Sequence, residues 1–426
     1  MESLPNFIVQ EILGYVESNL QLACRKWRHL MRPVIFELYP VDFTLSEPAL
    51  IFWELDKYGS YVKAIQYPVP SDLLEGIVQR CPHLDSINLQ LADKKELFQV
   101  AHAFGNNQVK LKVLQMSISF GVSHLPESLS LVFSTLNELA VSLDLLEPLT
   151  KVSLPGFASS NLRILRMDIA LIHFTFLQSI PDRFPQLKHL SIVGHITASS
   201  IDRRYPLAFQ GLKHLELQLY DIDPLDPMAF LGGKRLDLST LYLSTHCSID
   251  QSKVAAILKK PWASLRSLTL GGFGQLELKD FTPLFQLTHL HLDFLNASFT
   301  SALRHMFESM PNLKSLQLAA GFVDSDFEDI PSLLKLTDLT LVGNLELGTR
   351  FIEWLFLLPY LQRLSLHRAL NAVFNIKVVP AVFSFRIFSS LLVFDLPEPS
   401  AFSDFLLQRS PNLHFPNFTF EEDESL

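Results

Sequence analysis

The side chains best suited to chemistry are histidines, and three of them, His189, His214 and His289, stand in the same L-x-H-L setting, with His291 two residues past the last. If those leucines mark equivalent points on stacked strands, His189 and His214 become neighbours about 4.8 Å apart on one face. Two imidazoles so placed are half of a metal site, yet His289 is too far along the chain to complete it, and the plainer reading is a polar surface. His246 beside Cys247 makes no catalytic dyad, because adjacent residues on an extended segment point to opposite faces. The cluster Gly-Gly-Phe-Gly at 271–274 follows an apolar segment ending at Leu270 and reads as the turn that leaves a strand, not as a phosphate cradle. There is no G-x-x-x-x-G-K-[ST], H-E-x-x-H, G-x-S-x-G or C-x-x-C motif. The chain is therefore expected not to be an enzyme, with no catalytic residue, no cofactor and no metal to assign.

What positions these histidines is a repeated spacing, clearest at 187–192, where the chain reads L-x-x-L-x-L. The same pattern opens at Leu84, Leu111, Leu136, Leu162, Leu187, Leu212, Leu238, Leu265, Leu287, Leu313, Leu336, Leu361 and Leu391, at intervals of about 22 to 30 residues. Counting each opening leucine as position 1, position 4 is always large and apolar, from Ile87 to Phe394. On a strand, positions 4 and 6 point to one face and 3, 5 and 7 to the other, so each unit supplies one buried and one free face. One unit cannot bury its leucines alone, but a stack of them can.

A unit of this length and spacing resembles the leucine-rich repeat. That resemblance implies an α/β solenoid with a curved parallel sheet inside and helices outside. Position 9, where the family usually carries Asn or Cys, is mixed here (Ala92, Asp144, His195, Tyr220, Phe273, Leu295), and only Asn344 fits. Helix signals lie between strands. Residues 299–310 place Phe299, Leu303, Met306 and Met310 on one stripe, and 351–358 is apolar all round. Several repeats are introduced by Pro two residues ahead of the first leucine, as in CPHL, FPQL, MPNL, LPYL and SPNL, which ends one helix and sets up the next strand.

Composition narrows the partners. A formal charge of −9 with no basic run argues against nucleic acid. Hydrophobic content of 48% against 19% charged residues, with 34 Phe, excludes wholesale disorder. Cys24, Cys81 and Cys247 are too few and too scattered for a disulfide framework, so an intracellular compartment, cytoplasm or nucleus, is expected. Neither a signal peptide nor a membrane span is legible, since the apolar stretch 371–396 is interrupted by Lys377, Pro380 and Arg386.

Residues 1–38 differ from the array. After Ser3 and Pro5, Ile8, Ile12 and Tyr15 form a helical stripe, and Leu20, Cys24, Trp27 and Met31 form a second that Pro33 stops. The segments LPNFIVQEILGYV and LQLACRKWRHL resemble an F-box, through Leu4, Pro5, Ile8, Ile12, Leu13, Leu20, Cys24, Arg25, Trp27 and Arg28. The resemblance implies docking on the Skp adaptor, and through it on the cullin of an SCF-type ubiquitin ligase, with Leu4, Pro5, Ile8, Ile12, Leu13, Leu20, Cys24 and Trp27 as the adaptor-binding residues. The segment between Tyr15 and Cys24 is shorter than in that family. The same head also suits an N-terminal cap on the first repeat, and both roles are compatible.

The expected organisation is thus an F-box-like helical domain at 1–38, a leucine-rich-repeat solenoid at 39–416 and an acidic tail at 417–426. At the junction, 36–41 and 62–67 are weak strand candidates separated by an apolar segment, ALIFWEL, suited to a crossing helix. The segment 371–390 is rich in Val and Phe and reads as an extra strand or a loop folding over the array. Candidate substrate-binding residues are the large, chemically mixed side chains at positions 3, 5 and 7 of the middle repeats: Arg166, Asp168, His189, His214, Glu216, Tyr242, His289, His291 and Asp293. The substrate itself, an unknown protein, is not encoded in any motif.

Overall fold

Alternation along short strands decides which residues enter the core. The computed structural model describes residues 48–69, 71–107, 109–119, 129–143, 161–197, 209, 211–222, 237–245, 262–273, 284–294, 307–319, 322–323, 327–328, 330–343, 345–346, 349–355, 357–367 and 393–395. The head at 1–38, the tail at 417–426, the candidate strand at 36–41, the segment 371–390 and Asn344 lie outside the described residues. The chain divides into two compact units, 1–147 with 151–168, and 148–150 with 169–426.

In the first unit the order is α1 (Pro48–Tyr58), a 3-10 turn (Gly59–Tyr61), β1 (Ala64–Val69), α2 (Ser71–Arg80), β2 (Ser86–Leu91), α3 (Lys94–Asn107), β3 (Val113–Ile118), α4 (Leu129–Thr135), β4 (Glu138–Leu143) and the first half of β5 (Ile164–His173). Helix α1 covers the apolar ALIFWEL segment and opens on Pro48, a first-turn position where a missing N–H is harmless. The strand expected at 62–67 runs two residues later, from Ala64 to Val69. Helix α2 carries Asp72 in its first turn and Arg80 in its last, both matched to the helix dipole, and buries Leu74, Ile77 and Val78. Helix α3 starts at a side-chain cap: the Glu96 N–H donates to Asp93 Oδ1 at 2.8 Å, and the Glu96 carboxylate accepts from the Ala92 N–H. Strands β1 to β4 pair in parallel, each with the next.

The second unit holds the rest of β5, then α5 (Phe174–Arg183), β6 (His189–Thr197), β7 (His214–Ile222), β8 (Thr240–Thr245), β9 (Ser267–Phe273), β10 (His289–Phe294), β11 (Ser315–Ala319), β12 (Phe322–Val323), β13 (Asp338–Val342), β14 (Leu345–Glu346), α6 (Thr349–Leu355), β15 (Arg363–His367) and β16 (Val393–Asp395). From β6 the sheet runs β6-β7-β8-β9-β10-β11-β13-β15-β16, every pair parallel and consecutive. Strands β12 and β14 form a separate two-stranded ladder. All thirteen L-x-x-L-x-L registers are strands, and β1 adds one more ahead of them. The class is α/β, built of repeated strand-and-crossover units.

The position-4 side chains from Ile87 to Leu364 are 0 to 2% exposed, and from Ile87 to Leu139 and from Leu190 to Leu364 each meets its counterpart on the next strand in register. Burying a leucine of this kind contributes about 1.5–3 kcal/mol, so positions 1, 4 and 6 make a large share of each repeat's stabilisation. A second buried column lies three residues ahead of position 1 and mixes residue types: Cys81, Phe133, Phe184, Phe209, Trp262, Leu284, Met310, Leu333 and Leu358. At Cys81, Phe184 and Met310 a proline follows, and the carbonyl of the buried residue accepts the N–H of the next opening leucine at 3.1–3.2 Å. That is a tight turn with Pro at its second residue, where a fixed φ is favourable.

The backbone joins successive repeats by a recurrent device. The carbonyl of position 2 accepts two N–H groups from the following repeat, as when Lys213 and His214 both donate to Lys188, and Ser239 and Thr240 both donate to Lys213. The same double acceptance recurs at Lys63, Asp85, Lys112, Asn137, Ser239, Arg266, Thr288, Lys314 and Thr337. Side chains reinforce this leading edge: Asn161 donates to the Ser134 carbonyl at 3.0 Å, and Asn312 to the Phe285 carbonyl at 2.7 Å. Inter-repeat amide bonds thus form ahead of the strand.

Two details differ from the sequence reading. Gly271 and Gly272 belong to β9 itself, whose pairing with β10 slips between Gly271 and Phe273; Gly272 has φ +74° and forms a bulge rather than a departing turn. Helix α6 is one-sided: Phe351 and Leu355 are buried, whereas Leu357, just beyond it, is exposed. Among the described residues no helix is long and apolar enough to cross a membrane.

Candidate protein-interaction face

Positions 3, 5 and 7 form straight rows across the strands, because the register between neighbours holds residue for residue. In the second unit His189 pairs with His214 and His214 with Thr240; in the next row Ser191 pairs with Glu216 and Glu216 with Tyr242. His189, His214, Glu216 and Tyr242 are therefore one contiguous group on β6, β7 and β8. The two imidazoles stack, with ring centroids 5.5 Å apart and 24° between planes, as the L-x-H-L spacing predicts.

His289, His291 and Asp293 form a second group on β10. Strand β9 separates the two with small residues only, Ser267, Thr269 and Gly271. A Cβ on Gly271 would meet Ser244 Oγ at 3.1 Å and Asp293 Cβ at 3.8 Å, so the missing side chain leaves a notch in the position-7 row. Burial holds the His291 imidazole below its ordinary pKa, against the opposing pull of the Asp293 carboxylate. His289 is exposed, with Nδ1 2.9 Å from Thr288 Oγ1.

Arg166 and Asp168 belong to the first unit. There Arg166 Nη1 bonds Glu138 Oε1, an ion pair running diagonally from position 5 of β5 to position 3 of β4. Glu138 was not among the sequence candidates, since reading along rows misses diagonal pairs. Such a half-exposed pair is worth up to about 1 kcal/mol, and it orients the guanidinium more than it stabilises the fold.

The free face is not uniformly wet. Ser191 and Ser365, both at position 5, are buried, so larger neighbours cover the short side chains. The strands β6 and β7 also run beyond the motif, which brings position 9 into play: His195 and Tyr220 lie with ring centroids 5.8 Å apart at 48°, and Tyr220 is 38% exposed. Aromatic and imidazole pairs therefore flank Glu216 and Gln218 on both sides.

Chemically the surface offers hydrogen-bond donors and acceptors and stacking partners. Among the described residues no three His, Cys, Asp or Glu side chains are arranged to hold a metal ion. The residues expected to bind an adaptor, from Leu4 to Trp27, lie outside the described residues. No protein-family model matches the chain, and no curated protein is significantly similar to it.

Proposed function

We propose that the protein is the substrate-recognition subunit of an SCF-type cullin-RING ubiquitin ligase, itself non-catalytic. In this reading residues 4–28 dock on the Skp adaptor, and a leucine-rich-repeat solenoid with helices outside its curved sheet presents positions 3, 5 and 7 to a substrate protein. The observation that carries it is the pairing of Leu4-Pro5 with Cys24-Arg25-x-Trp27-Arg28 immediately ahead of a repeat array. The array supports the second half of the reading, because stacked repeats offer a long binding surface whose energy concentrates in a few large amphipathic side chains such as Tyr242. Three cysteines scattered too widely for a disulfide framework accord with an intracellular site of action.

The short segment between Tyr15 and Cys24 favours a second reading, an interaction scaffold whose head no longer docks. A pull-down with purified Skp adaptor separates the two. Capture at micromolar concentration, lost when Ile12 and Leu13 are changed to Asp, supports the ligase subunit. Failure of the wild-type chain to bind, or binding indifferent to those changes, leaves the scaffold.

A further inference from the structure

Two cations of the second unit are neutralised, Lys213 on the leading edge and Arg363 at position 3 of β15. Lys213 is paired with Asp237, which also accepts from Ser264 and is held below the usual carboxylate pKa chiefly by the Lys213 bond; Arg363 is paired with Asp338. Between these pairs the pattern breaks. A groove of about 410 Å³ runs along the leading edge of β9, β10, β11 and β13, with Arg266, Lys314 and Lys335 on its wall and no carboxylate in its lining. All three cations are exposed, and none of them forms an ion pair with a described residue. In a chain with 35 basic and 44 acidic residues, such a one-signed groove is against composition.

An apolar ledge is formed by the residues next in sequence to two of the lining residues, Gln286 and Lys335. Phe285 and Leu334 occupy the same point of their repeats, two residues ahead of the opening leucine, and are 55% and 58% exposed. Asn312 ties ledge to cations: its Nδ2 donates to the Phe285 carbonyl at 2.7 Å while its Oδ1 accepts from Lys335 Nζ at 2.6 Å. The spacing of the cations indicates the ligand. Arg266 and Lys335 stand on repeats three strand spacings apart, about 14 Å, too far to converge on one phosphoryl group. An extended peptide advances about 3.3 Å per residue, so acidic side chains at i, i+2 and i+4 span a similar distance.

We propose that this leading edge binds an extended acidic segment of a partner protein, with carboxylates at alternate residues meeting Arg266, Lys314 and Lys335 and an apolar side chain resting on Phe285 and Leu334. The site borders the strand face at His289, which lines the groove, and stands whether or not residues 4–28 dock on an adaptor.

The test is fluorescence polarisation on the full chain with a labelled peptide of alternating Glu and Leu. Binding should weaken at least tenfold in the K314E/K335E variant and in R266E, weaken as salt rises from about 50 to 200 mM, and vanish when Gln replaces Glu in the peptide. Phe285→Ser should lower affinity while leaving the salt dependence unchanged. The proposal is overturned if the wild-type chain does not bind the peptide, or if charge-reversed variants that melt like wild type bind it equally. It is also overturned if a single-stranded oligonucleotide, or a peptide bearing one phosphoserine as its sole charge, binds this edge more tightly.

Discussion

His189 and His214 stack face to face across β6 and β7, 5.5 Å between ring centroids, at the same position of successive repeats. Stacked rings contribute about 0.5–1.5 kcal/mol beyond their burial, and that contribution exists only while both are present. A double-mutant cycle with His189→Ala and His214→Ala, followed by chemical denaturation, should return a coupling in that range. Additivity within about 0.3 kcal/mol would mean that the rings are mere neighbours.

Leu215 and Leu268 are buried at position 4 between strands on both sides. Leu215→Ala should cost about 2–5 kcal/mol through its cavity, and Leu215→Asp or Leu268→Asp more, because a carboxylate there has no partner. Thermal melts of the three variants check this; an Asp variant melting with the wild type would refute the register.

Two glycines of the sheet should respond oppositely to alanine. Gly194 has φ +144°, and a Cβ there would lie 1.8 Å from the Ile169 carbonyl oxygen, so Gly194→Ala forces the backbone of β5 or β6 to move. A Cβ on Gly271 would meet its nearest neighbours, Ser244 Oγ, Ser244 Cβ and Asp293 Cβ, at 3.1, 3.5 and 3.8 Å, all side-chain atoms. Gly194→Ala is expected to lower the melting temperature by several degrees, and Gly271→Ala by little. Equal shifts in the two melts would contradict the close approach at Gly194.

His291 makes stability depend on pH with a definite sign. Burial lowers its folded-state pKa below the ordinary 6.5, so below pH 6.5 the unfolded chain binds a proton that the folded chain resists. Its contribution is complete above pH 6.5 and is lost as pH falls from there towards the folded pKa. His291→Gln should therefore flatten the acid limb of a stability profile below about pH 6.5, with little effect at pH 8. Parallel profiles for the two proteins would count against the buried imidazole.

Cys81 should be inert. Burial pushes its thiol up to about 12, only partly opposed by the Arg80 charge, so almost no thiolate exists at neutral pH. Iodoacetamide labelling at pH 7.5, read by peptide mass mapping, should leave Cys81 unmodified in the folded chain and alkylate it after denaturation. Ready labelling of the native protein would show that the column ahead of position 1 is open there.

The strand register and the His189–His214 contact were legible because both depend on a single quantity, the parity of side-chain direction from a buried leucine. What escaped depends on geometry that residue type does not encode. The buried column from Cys81 to Leu358 uses five different residue types, since its requirement is volume, so no motif marks it. Helix α3 buries an ordinary stripe, Leu97, Val100, Ala101 and Phe104, which the search for leucine spacing passed over together with the Asp93–Glu96 cap three residues apart. The diagonal Arg166–Glu138 pair links different rows, and the double acceptance at position 2 is a backbone property indifferent to whether the residue is Lys188, Ser239 or Thr288.

That indifference has an evolutionary consequence. Because the Lys213 carbonyl offers Ser239 and Thr240 the same pair of bonds that the Ser239 carbonyl offers Arg266 and Ser267, removing one whole repeat leaves matching ends on either side of the cut. The joint has direction, so repeats can be lost or duplicated only head to tail. Chain length in such a protein can drift in steps of one unit, while an insertion of a few residues must be absorbed within a crossover.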